Sequence, residues 1–361
     1  MSSLVHYSEF KYDLWHYLAS SEKPIVMYGM GNGADKILAV FEKFGIEVSD
    51  FFASDGFVRG QIFHGKTVLS LSAIKEKYND FIVVVSFGSS LPEVLANIYS
   101  IAERYELYAP DVPVSGDTLF SLDFFKDNFD KFKKAFSLLC DEESKRIYNN
   151  IVSYKITGKI SHLKEAINPM SCEKELLHLD SFSTFIDCGA YNGDTAKKFI
   201  NECPNASKIY AIEPDRKNFK KLSAFAENEK KCSVIPFNFG VWNEHSTADF
   251  AVGGNRNSGI GTQNFKKTET VILDTVDSLN VCDADYIKYD VEGAEKEALL
   301  GSVKTVNSSS PDLLISLYHR SEDLFELPLL ANSLFPEYSL FLRRFEYVPA
   351  WDINLYAIKR S

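Results

Sequence analysis

The segment 185–195 combines an acid with two glycines in a spacing that suits a ligand-binding loop. A short apolar run ends at Asp187, Gly189 and Gly193 follow, and residues 196–199 begin a helix-like pattern. This order predicts a strand, a tight loop and a helix, which together form the first unit of a nucleotide-binding Rossmann-like sheet. Glycine lets the backbone approach a ligand at positions where a Cβ atom would clash.

The position of Asp187 indicates which nucleotide this loop would hold. A dinucleotide places its pyrophosphate against such a loop, and a carboxylate just before the first glycine would repel it. S-adenosylmethionine (SAM) has no phosphate there and brings an ammonium and a sulfonium, which a carboxylate attracts. We therefore predict SAM as the cofactor.

A second acid follows at the separation that a Rossmann-like sheet uses for ribose. A mostly apolar run ends at residue 212, and Glu213, followed by Pro214, comes 20 residues after Gly193. A carboxylate can accept two hydrogen bonds and a cis-diol can donate two, so Glu213 is predicted to bind the ribose hydroxyls. Two acidic strand ends without a ligand remain the alternative.

A loop further along the chain is predicted to lie beside the adenine. Residues 237–243 read Phe-Asn-Phe-Gly-Val-Trp-Asn, in which Gly240 and Trp242 suit a flat ring. Ordinary core aromatics would produce the same pattern. The full set of residues predicted to bind SAM is Asp187, Gly189, Ala190, Tyr191, Gly193, Asp194, Glu213, Pro214, Asn238, Gly240 and Asp290.

The catalytic candidates follow two later strands. Residues 285–289 predict a strand that delivers Asp290 to the carboxyl edge of the sheet, with Glu292 close behind it. Ligands of doubly wound sheets bind at that edge. His319 follows the apolar run 313–317 and is expected at the same edge. We predict that His319 is the base that takes a proton from an acceptor hydroxyl, with Asp290 or Glu292 as the second choice.

The same acids leave other interpretations open. A divalent metal on Asp290 and Glu292 could acidify the hydroxyl instead, although we predict a site without metal. The two acids could also be a cluster that caps the next helix. Lys288 points to the opposite side of its strand from Tyr289, so we expect it to pair with a neighbouring acid.

The first third of the chain predicts a smaller Rossmann-like domain, because an apolar strand leads directly into a glycine-rich turn. The turn lacks the third glycine of the dinucleotide fingerprint, so nicotinamide binding is not favoured. It is similar to turns in bacterial sugar-modifying enzymes that hold a nucleotide-sugar. Gly29, Gly31, Asn32 and Gly33 are therefore predicted to bind a substrate phosphate through backbone N–H groups. A turn that binds nothing is the alternative.

The predicted fold class is α/β, with two Rossmann-like domains joined by a helical connector. The predicted boundaries are 1–115 for the N-terminal domain, 116–180 for the connector and 181–361 for the methyltransferase-type domain. Later strands of the second sheet are expected at 233–237, 248–252, 268–273, 286–290 and 313–317. Residues 337–358 alternate apolar and polar as antiparallel strands do. Parallel strands followed by an antiparallel hairpin are typical of a SAM methyltransferase.

Composition narrows the function classes. A length of 361 residues predicts about two domains, and a net charge of −11 argues against a nucleic-acid partner. No apolar run approaches the roughly 18 residues that a membrane span needs. The six cysteines are scattered and form no Cys-x-x-Cys pair, which predicts reduced thiols. Together with the absence of a signal-peptide pattern, this predicts a cytoplasmic protein. A homo-oligomer is left open.

Four sequence strings in the C-terminal half resemble a known family. They are Asp187-Cys-Gly-Ala-Tyr-Asn-Gly-Asp, Ile212-Glu-Pro-Asp, Leu273-Asp-Thr-Val-Asp and Ile287-Lys-Tyr-Asp-Val-Glu-Gly-Ala-Glu. Together they look like the FkbM family of SAM-dependent methyltransferases. The resemblance implies that Asp187, Gly189 and Glu213 bind SAM and that Asp290 lies in the active site. It also implies O-methylation of a sugar or another hydroxyl in surface polysaccharides or secondary metabolites.

Two other functions remain open from the sequence. A non-catalytic scaffold that binds SAM or a nucleotide-sugar would keep Asp187, Glu213 and Asp290 without converting SAM. An NAD-dependent sugar oxidoreductase would use the turn at Gly29. The acceptor of the favoured enzyme is a small molecule or a glycan, with or without an attached nucleotide.

Overall fold

Short strands build the first sheet, and the three at its centre are fully buried. The computed structural model describes residues 2–251 and 268–359. The first-sheet strands are β1 (Ile25–Tyr28), β2 (Asp50–Ala53), β5 (Leu69–Ser70), β6 (Ile82–Val85) and β7 (Glu106–Tyr108), and β3 (Ile62–Phe63) with β4 (Lys66–Thr67) forms a separate hairpin. All strands of the first sheet are parallel, in the order β5-β2-β1-β6-β7. The N-terminal part of the chain therefore holds a parallel sheet, in agreement with the predicted α/β fold class.

Both faces of the first sheet are buried, because alternate residues of β1 enter two different cores. Val26 packs on one face and Met27 on the other. The surrounding helices are α1 (Leu14–Ala19), α2 (Asn32–Phe44), α3 (Leu71–Lys77) and α4 (Pro92–Ala102). Helix α2 ends at Gly45, whose φ of 66° is the left-handed conformation that glycine adopts without strain.

The middle of the chain is helical, as predicted, and it packs on the second sheet. Its helices are α5 (Leu122–Asp127), α6 (Phe129–Leu138), α7 (Glu142–Thr157), α8 (Ile160–Glu165) and α9 (Ser171–Leu176). Phe132 lies 4.9 Å from Phe325, ring centroid to ring centroid. The backbone N–H of Cys140 donates to the carbonyl of Leu340. These contacts join the helices to the C-terminal half of the chain.

The second sheet carries the predicted site residues. Its strands are β8 (Thr184–Cys188), β9 (Lys208–Ile212), β10 (Ser233–Phe237), β14 (Tyr286–Tyr289), β15 (Asp312–Ser316), β16 (Tyr338–Arg344) and β17 (Ile353–Lys359). The order is β10-β9-β8-β14-β15-β17-β16, and β17 runs antiparallel to both of its neighbours. The helices of this half are α10 (Asp194–Glu202), α11 (Arg216–Asn228), α12 (Glu295–Leu300), α13 (Val303–Ser309) and α14 (Asp323–Leu334). Single turns of 3₁₀ helix lie at Tyr7–Glu9, Asp55–Phe57, Leu179–Ser181 and Val276–Leu279.

Two strands that were predicted for the second sheet lie outside it. β11 (Gly240–Val241), β12 (Ser246–Ala251) and β13 (Thr268–Asp274) form a small sheet of their own, in the order β11-β13-β12. Exposed side chains such as Ile272 alternate with buried ones such as Val271 in β13, whereas the central strand β8 of the large sheet is buried on both faces. The prediction for 248–252 and 268–273 was therefore wrong about the sheet, and Val252 lies outside the described residues.

The first sheet is docked against the carboxyl edge of the second. Ser89 and Val348 exchange two backbone hydrogen bonds, and the N–H of Ser115 donates to the carbonyl of His319 at 2.9 Å. A Cβ atom on Gly88 would lie 2.6 Å from the Trp351 ring, so glycine permits this close approach. The docking places an N-terminal segment next to the ends of β14 and β15.

The described residues also bear on membrane-spanning helices and on the state of the cysteines. Within 2–251 and 268–359, no helix combines the length and the apolar character that a membrane crossing requires. All six cysteines are free thiols, and Cys188 is fully buried as a small packing residue.

Candidate active site

The glycine loop after β8 is held tightly by both neighbouring strands. The N–H groups of Gly189 and Ala190 donate to the carbonyl of Ile212 at 3.0 and 2.9 Å. Gly189 has a φ of 90°, and a Cβ atom there would lie 1.9 Å from the carbonyl oxygen of Asp290. Gly193, also at a φ of 90°, precedes α10. Only glycine allows β8, β9 and β14 to meet this closely.

A cavity of about 290 Å³ opens beside this loop. Its lining joins the loop, the ends of β9 and β14 and the docked N-terminal segment. The lining residues used below are Val114, Gly189, Tyr191, Asp194, Glu213, Pro214, Phe239, Gly240, Lys288, Asp290, Glu292, Tyr318, Tyr347, Trp351 and Asp352.

Asp187 is a buried carboxylate without hydrogen-bond donors among the described residues. Its side chain is inaccessible to solvent, and neither oxygen accepts a hydrogen bond from any described residue. Burial raises the pKa of Asp187 to about 6, although Lys288, whose Nζ lies 3.9 Å from Oδ1, opposes the rise. Asp187 does not itself line the cavity. Its negative charge close to the loop fits a cationic ligand such as the methionine end of SAM.

Glu213 faces the cavity from the end of β9. Its Oε2 accepts the N–H of Tyr191 at 2.9 Å, and its Oε1 accepts the N–H of Asp215 at 2.8 Å. Each oxygen retains acceptor capacity for one hydroxyl of a diol. Burial raises the pKa of Glu213 to about 8, although the two backbone donors oppose the rise.

Replacing Glu213 by Gln should therefore change SAM affinity and its pH dependence. Diol donors favour the ionised carboxylate, so binding would lower the pKa of Glu213 and release a proton. SAM affinity should then rise with pH up to about 8. In Glu213→Gln, titration calorimetry should give a flatter profile and affinity that is weaker by about 10- to 100-fold. Glu227→Gln, an exposed change on α11, is the control. An unchanged profile in Glu213→Gln would contradict the ribose assignment.

The loop after β10 is used differently from the prediction. Asn238 does not line the cavity, and its amide instead donates to the carbonyls of Glu213 and Pro214 at 2.8 and 3.1 Å. Trp242 does not line the cavity either, whereas Phe239 does. Asn238 therefore shapes the ribose-side loop, and Phe239 replaces Trp242 as the aromatic side chain available to a flat ring.

Asp290 is tied down at the end of β14. Its Oδ2 accepts a hydrogen bond from Lys288 at 3.0 Å, which confirms the expected pairing of that lysine. Its Oδ1 accepts the hydroxyl proton of Tyr318 at 2.8 Å. Burial acts to raise the pKa of Asp290, but the charges of Lys288 and His319 outweigh burial and hold the pKa well below its ordinary value.

Glu292 reaches the cavity from a strained position. Its φ is 55°, which is uncommon for a residue with a long side chain. About a third of the side chain (31%) is exposed, and it lines the cavity. Burial, followed by the nearby Asp290 and Glu295, raises the pKa of Glu292 to about 7, while His319 opposes the rise.

His319 is enclosed by carboxylates and does not line the cavity. Nδ1 lies 2.9 Å from Glu295, and Nε2 lies 3.6 Å from Asp290 and 3.7 Å from Glu292. Burial acts to lower the pKa of His319, but the three carboxylates raise it to about 10. An imidazole that is protonated at neutral pH cannot accept another proton. The structure therefore does not support His319 as the base. The three surrounding carboxylates keep the ring protonated, and this could not be known from its position after β15.

The N-terminal glycine turn is not brought into the cavity. A Cβ atom on Gly33 would lie 2.2 Å from the carbonyl oxygen of Ser86, and one on Gly29 would lie 2.6 Å from the Phe87 ring. Close packing of the turn on β6 therefore accounts for both glycines. Gly31 has no neighbour within 4 Å of its Cβ position, and Asn32 begins α2. Phosphate binding at this turn remains a prediction.

Comparisons with known proteins agree with this geometry. The model of the methyltransferase FkbM domain matches residues 187–349. This segment, which is less than half of the chain, is similar to an FkbM methyltransferase domain. A crystal structure of methyltransferase FkbM from Methylobacillus flagellatus KT is 18% identical, with a TM-score of 0.73 over 96% of this chain and 94% of that chain. That likeness extends the shared fold to the N-terminal sheet.

Other solved structures resemble the FkbM domain more distantly. Precorrin-6y C5,15-methyltransferase from Geobacter metallireducens GS-15 is 11% identical, with a TM-score of 0.33 over 55% of this chain and 92% of that chain. Fibrillarin from Aeropyrum pernix, in a complex with SAM, is 12% identical, with a TM-score of 0.33 over 50% of this chain and 69% of that chain. These TM-scores are too low to bear on function. A search of curated proteins finds no match.

Several residues of this site were not predicted from the sequence. Tyr318 holds Asp290, and Glu295 contacts His319. Tyr347 and Trp351 come from the loop between β16 and β17, which no predicted motif covers. Glu295 belongs to the family-like string after β14, which was its available signal.

Proposed function

We propose that this protein is a SAM-dependent O-methyltransferase that acts on a hydroxyl of a neutral sugar or glycan. The observation that carries the proposal is the convergence of Gly189, Glu213, Asp290 and Glu292 on one cavity. Two of these residues suit the nucleoside and methionine parts of SAM. The other two are carboxylates at the end of the neighbouring strand, where an acceptor would meet the methyl group.

The residues that would hold SAM come from three strand ends. Glu213 would accept the ribose hydroxyls, Gly189 would admit the methionine part near the charge of Asp187, and Phe239 and Gly240 would flank the adenine. SAM supplies an electrophilic methyl group on a sulfonium that is already a good leaving group. The remaining work of the protein is therefore positioning and proton removal.

The lining of the cavity favours an uncharged acceptor. Its carboxylates outnumber its cations, since Asp194, Glu213, Asp290, Glu292 and Asp352 face Lys288. An anionic acceptor would be repelled by this excess of negative charge. Sugar hydroxyls instead donate hydrogen bonds to carboxylates.

Aromatic side chains add flat apolar surfaces to the same cavity. Tyr318, Tyr347 and Trp351 lie along its lining and suit the apolar faces of a sugar ring. If the acceptor carries a nucleotide, its phosphates would have to lie outside this acidic lining.

Glu292 is the best placed proton acceptor. Asp290 is occupied by Lys288 and Tyr318, and His319 is buried away from the cavity. Glu292 lines the cavity and makes no hydrogen bond to a described residue. In the proposed step the acceptor oxygen attacks the methyl carbon and the C–S bond breaks with its electron pair on sulfur. The hydroxyl proton passes to Glu292.

The test is conversion of SAM to S-adenosylhomocysteine, followed by mass spectrometry with a panel of acceptors. We expect turnover with neutral sugars or glycans, and little with matched uronic acids or sugar phosphates. SAM that binds and stays intact throughout the panel would favour the scaffold alternative. Methylation of nitrogen or carbon would contradict O-methylation, and nicotinamide reduction would favour the oxidoreductase alternative.

A further inference from the structure

The buried side of the acidic cluster contains an imidazole nitrogen without a partner. His319 is fully buried, and its Nε2 makes no hydrogen bond to any residue in 2–251 or 268–359. Two carboxylate oxygens face this nitrogen, Asp290 Oδ1 at 3.6 Å and Glu292 Oε2 at 3.7 Å. These distances are too long for hydrogen bonds, so neither oxygen accepts one from Nε2.

The neighbours of these three groups fix their orientation. Glu295 Oε1 lies 2.9 Å from Nδ1 of His319 and also accepts the N–H of Val291 at 2.9 Å. A carboxylate beside Nδ1 keeps a proton on that nitrogen, as in carboxylate–histidine–metal triads, and a cation that binds Nε2 would displace the proton from Nε2 to solvent. Lys288 donates to Asp290 Oδ2 and Tyr318 donates to Oδ1, and together they hold this carboxylate in place.

We propose that His319 Nε2, Asp290 Oδ1 and Glu292 Oε2 bind one divalent cation, for which Mn²⁺ serves as the probe. Carboxylate oxygens and imidazole are ligands that such an ion accepts. Ligand atoms about 2.1 Å from one ion lie roughly 3.0–3.4 Å apart, so Asp290 and Glu292 would each have to move inward from their present 3.6 and 3.7 Å to Nε2. Asp290, Glu295 and His319 also form a group whose ligand atoms lie within 4.8 Å of one another.

A catalytic role for this cation rests on the proposed O-methyltransferase function. His319 closes one side of the site, and Asp290 and Glu292 line the cavity on the other. Open coordination positions would therefore face the acceptor. A hydroxyl bound there becomes more acidic and is oriented toward the methyl group, and its proton can pass to the second oxygen of Glu292. The C–S bond breaks as the O–C bond forms.

Binding of Mn²⁺ by the full-length protein tests this site without any acceptor. After chelator treatment and dialysis, titration calorimetry and loss of the free Mn²⁺ paramagnetic resonance signal should report one Mn²⁺ per chain. His319→Ala and Glu292→Gln should each weaken binding by about 100-fold or more, and Glu295→Gln by about 10- to 100-fold. Nitrogen modulation of the bound Mn²⁺ signal should disappear in His319→Ala.

A matched control is available on the surface. His245 lies 3.3 Å from Asp274 and is 73% exposed, so His245→Ala removes a histidine beside a carboxylate that does not line the cavity. It should bind Mn²⁺ as the unchanged protein does. Glu292→Gln keeps the test decisive if His319→Ala fails to fold, since Glu292 is partly exposed.

The inference is overturned if the protein binds no stoichiometric Mn²⁺, or if His319→Ala and Glu292→Gln bind it unchanged. Full methyl transfer after complete removal of metal would also overturn it, yet would leave the proposed O-methyltransferase intact. Conversely, Mn²⁺ binding that depends on these residues, in a protein that methylates no hydroxyl, would support the site and reject the function.

Discussion

Glu292→Gln is expected to lower the turnover of methyl transfer by about 10²- to 10⁴-fold, the range that a positioned general base contributes. The side chain keeps its size but loses the charge that accepts the hydroxyl proton and helps to bind the cation. SAM affinity should stay within about twofold, because Glu213 and the glycine loop are unchanged. Turnover at saturating SAM and calorimetric titration of SAM separate the two effects.

The control for this change is Glu326→Gln. Glu326 forms an exposed ion pair with Lys296 at 3.3 Å and does not line the cavity. Exposed ion pairs contribute little to stability, so Glu326→Gln should fold normally. Because Glu326 lies outside the cavity lining, the variant's turnover of methyl transfer should also be unchanged. Glu292→Gln with normal turnover would show that another group accepts the proton.

Gly189→Ala is expected to have the largest effect on stability. The new Cβ atom would lie 1.9 Å from the carbonyl oxygen of Asp290, which is backbone and cannot swing away. The residue would also have to adopt a φ of 90°. Strain of this kind combined with a buried clash should reduce the free energy of unfolding by at least about 3 kcal/mol. Urea denaturation measures the loss, and SAM binding should fall with it.

Gly45→Ala separates conformational strain from the clash. Gly45 has a φ of 66° at the end of α2, but no atom lies within 4 Å of its Cβ position. Only the left-handed penalty applies there, roughly 1–2 kcal/mol. Equal losses in Gly45→Ala and Gly189→Ala would contradict the close meeting of the loop and β14.

The SAM side of the candidate site could be predicted because it depends on local pattern. Asp187, Glu213 and Asp290 each end or follow an apolar run, and parallel strands place such ends at one edge. The observed order puts β8 between β9 and β14, so the three acids do meet there. The pairing of Lys288 followed from strand alternation alone.

The acceptor side could not be predicted, because distant parts of the chain build it. Trp351 and Val114 meet at the cavity only after the two sheets dock. The docking depends on Gly88, whose missing side chain admits the Trp351 ring. A contact between residues so far apart leaves no periodic signal in the sequence.

The role of His319 shows a different limit. The sequence placed it correctly at the edge of the sheet, after β15. It could not show that Glu295, Asp290 and Glu292 surround the ring, and that enclosure decides whether an imidazole accepts a proton, keeps one or binds a cation.

A crystal structure with S-adenosylhomocysteine tests the central claim most directly. We expect the nucleoside in the cavity, with both ribose hydroxyls within hydrogen-bond distance of the Glu213 carboxylate and the sulfur directed toward Asp290 and Glu292. S-adenosylhomocysteine bound at any other place in the molecule, or lying in this cavity with its ribose away from Glu213, would contradict the account.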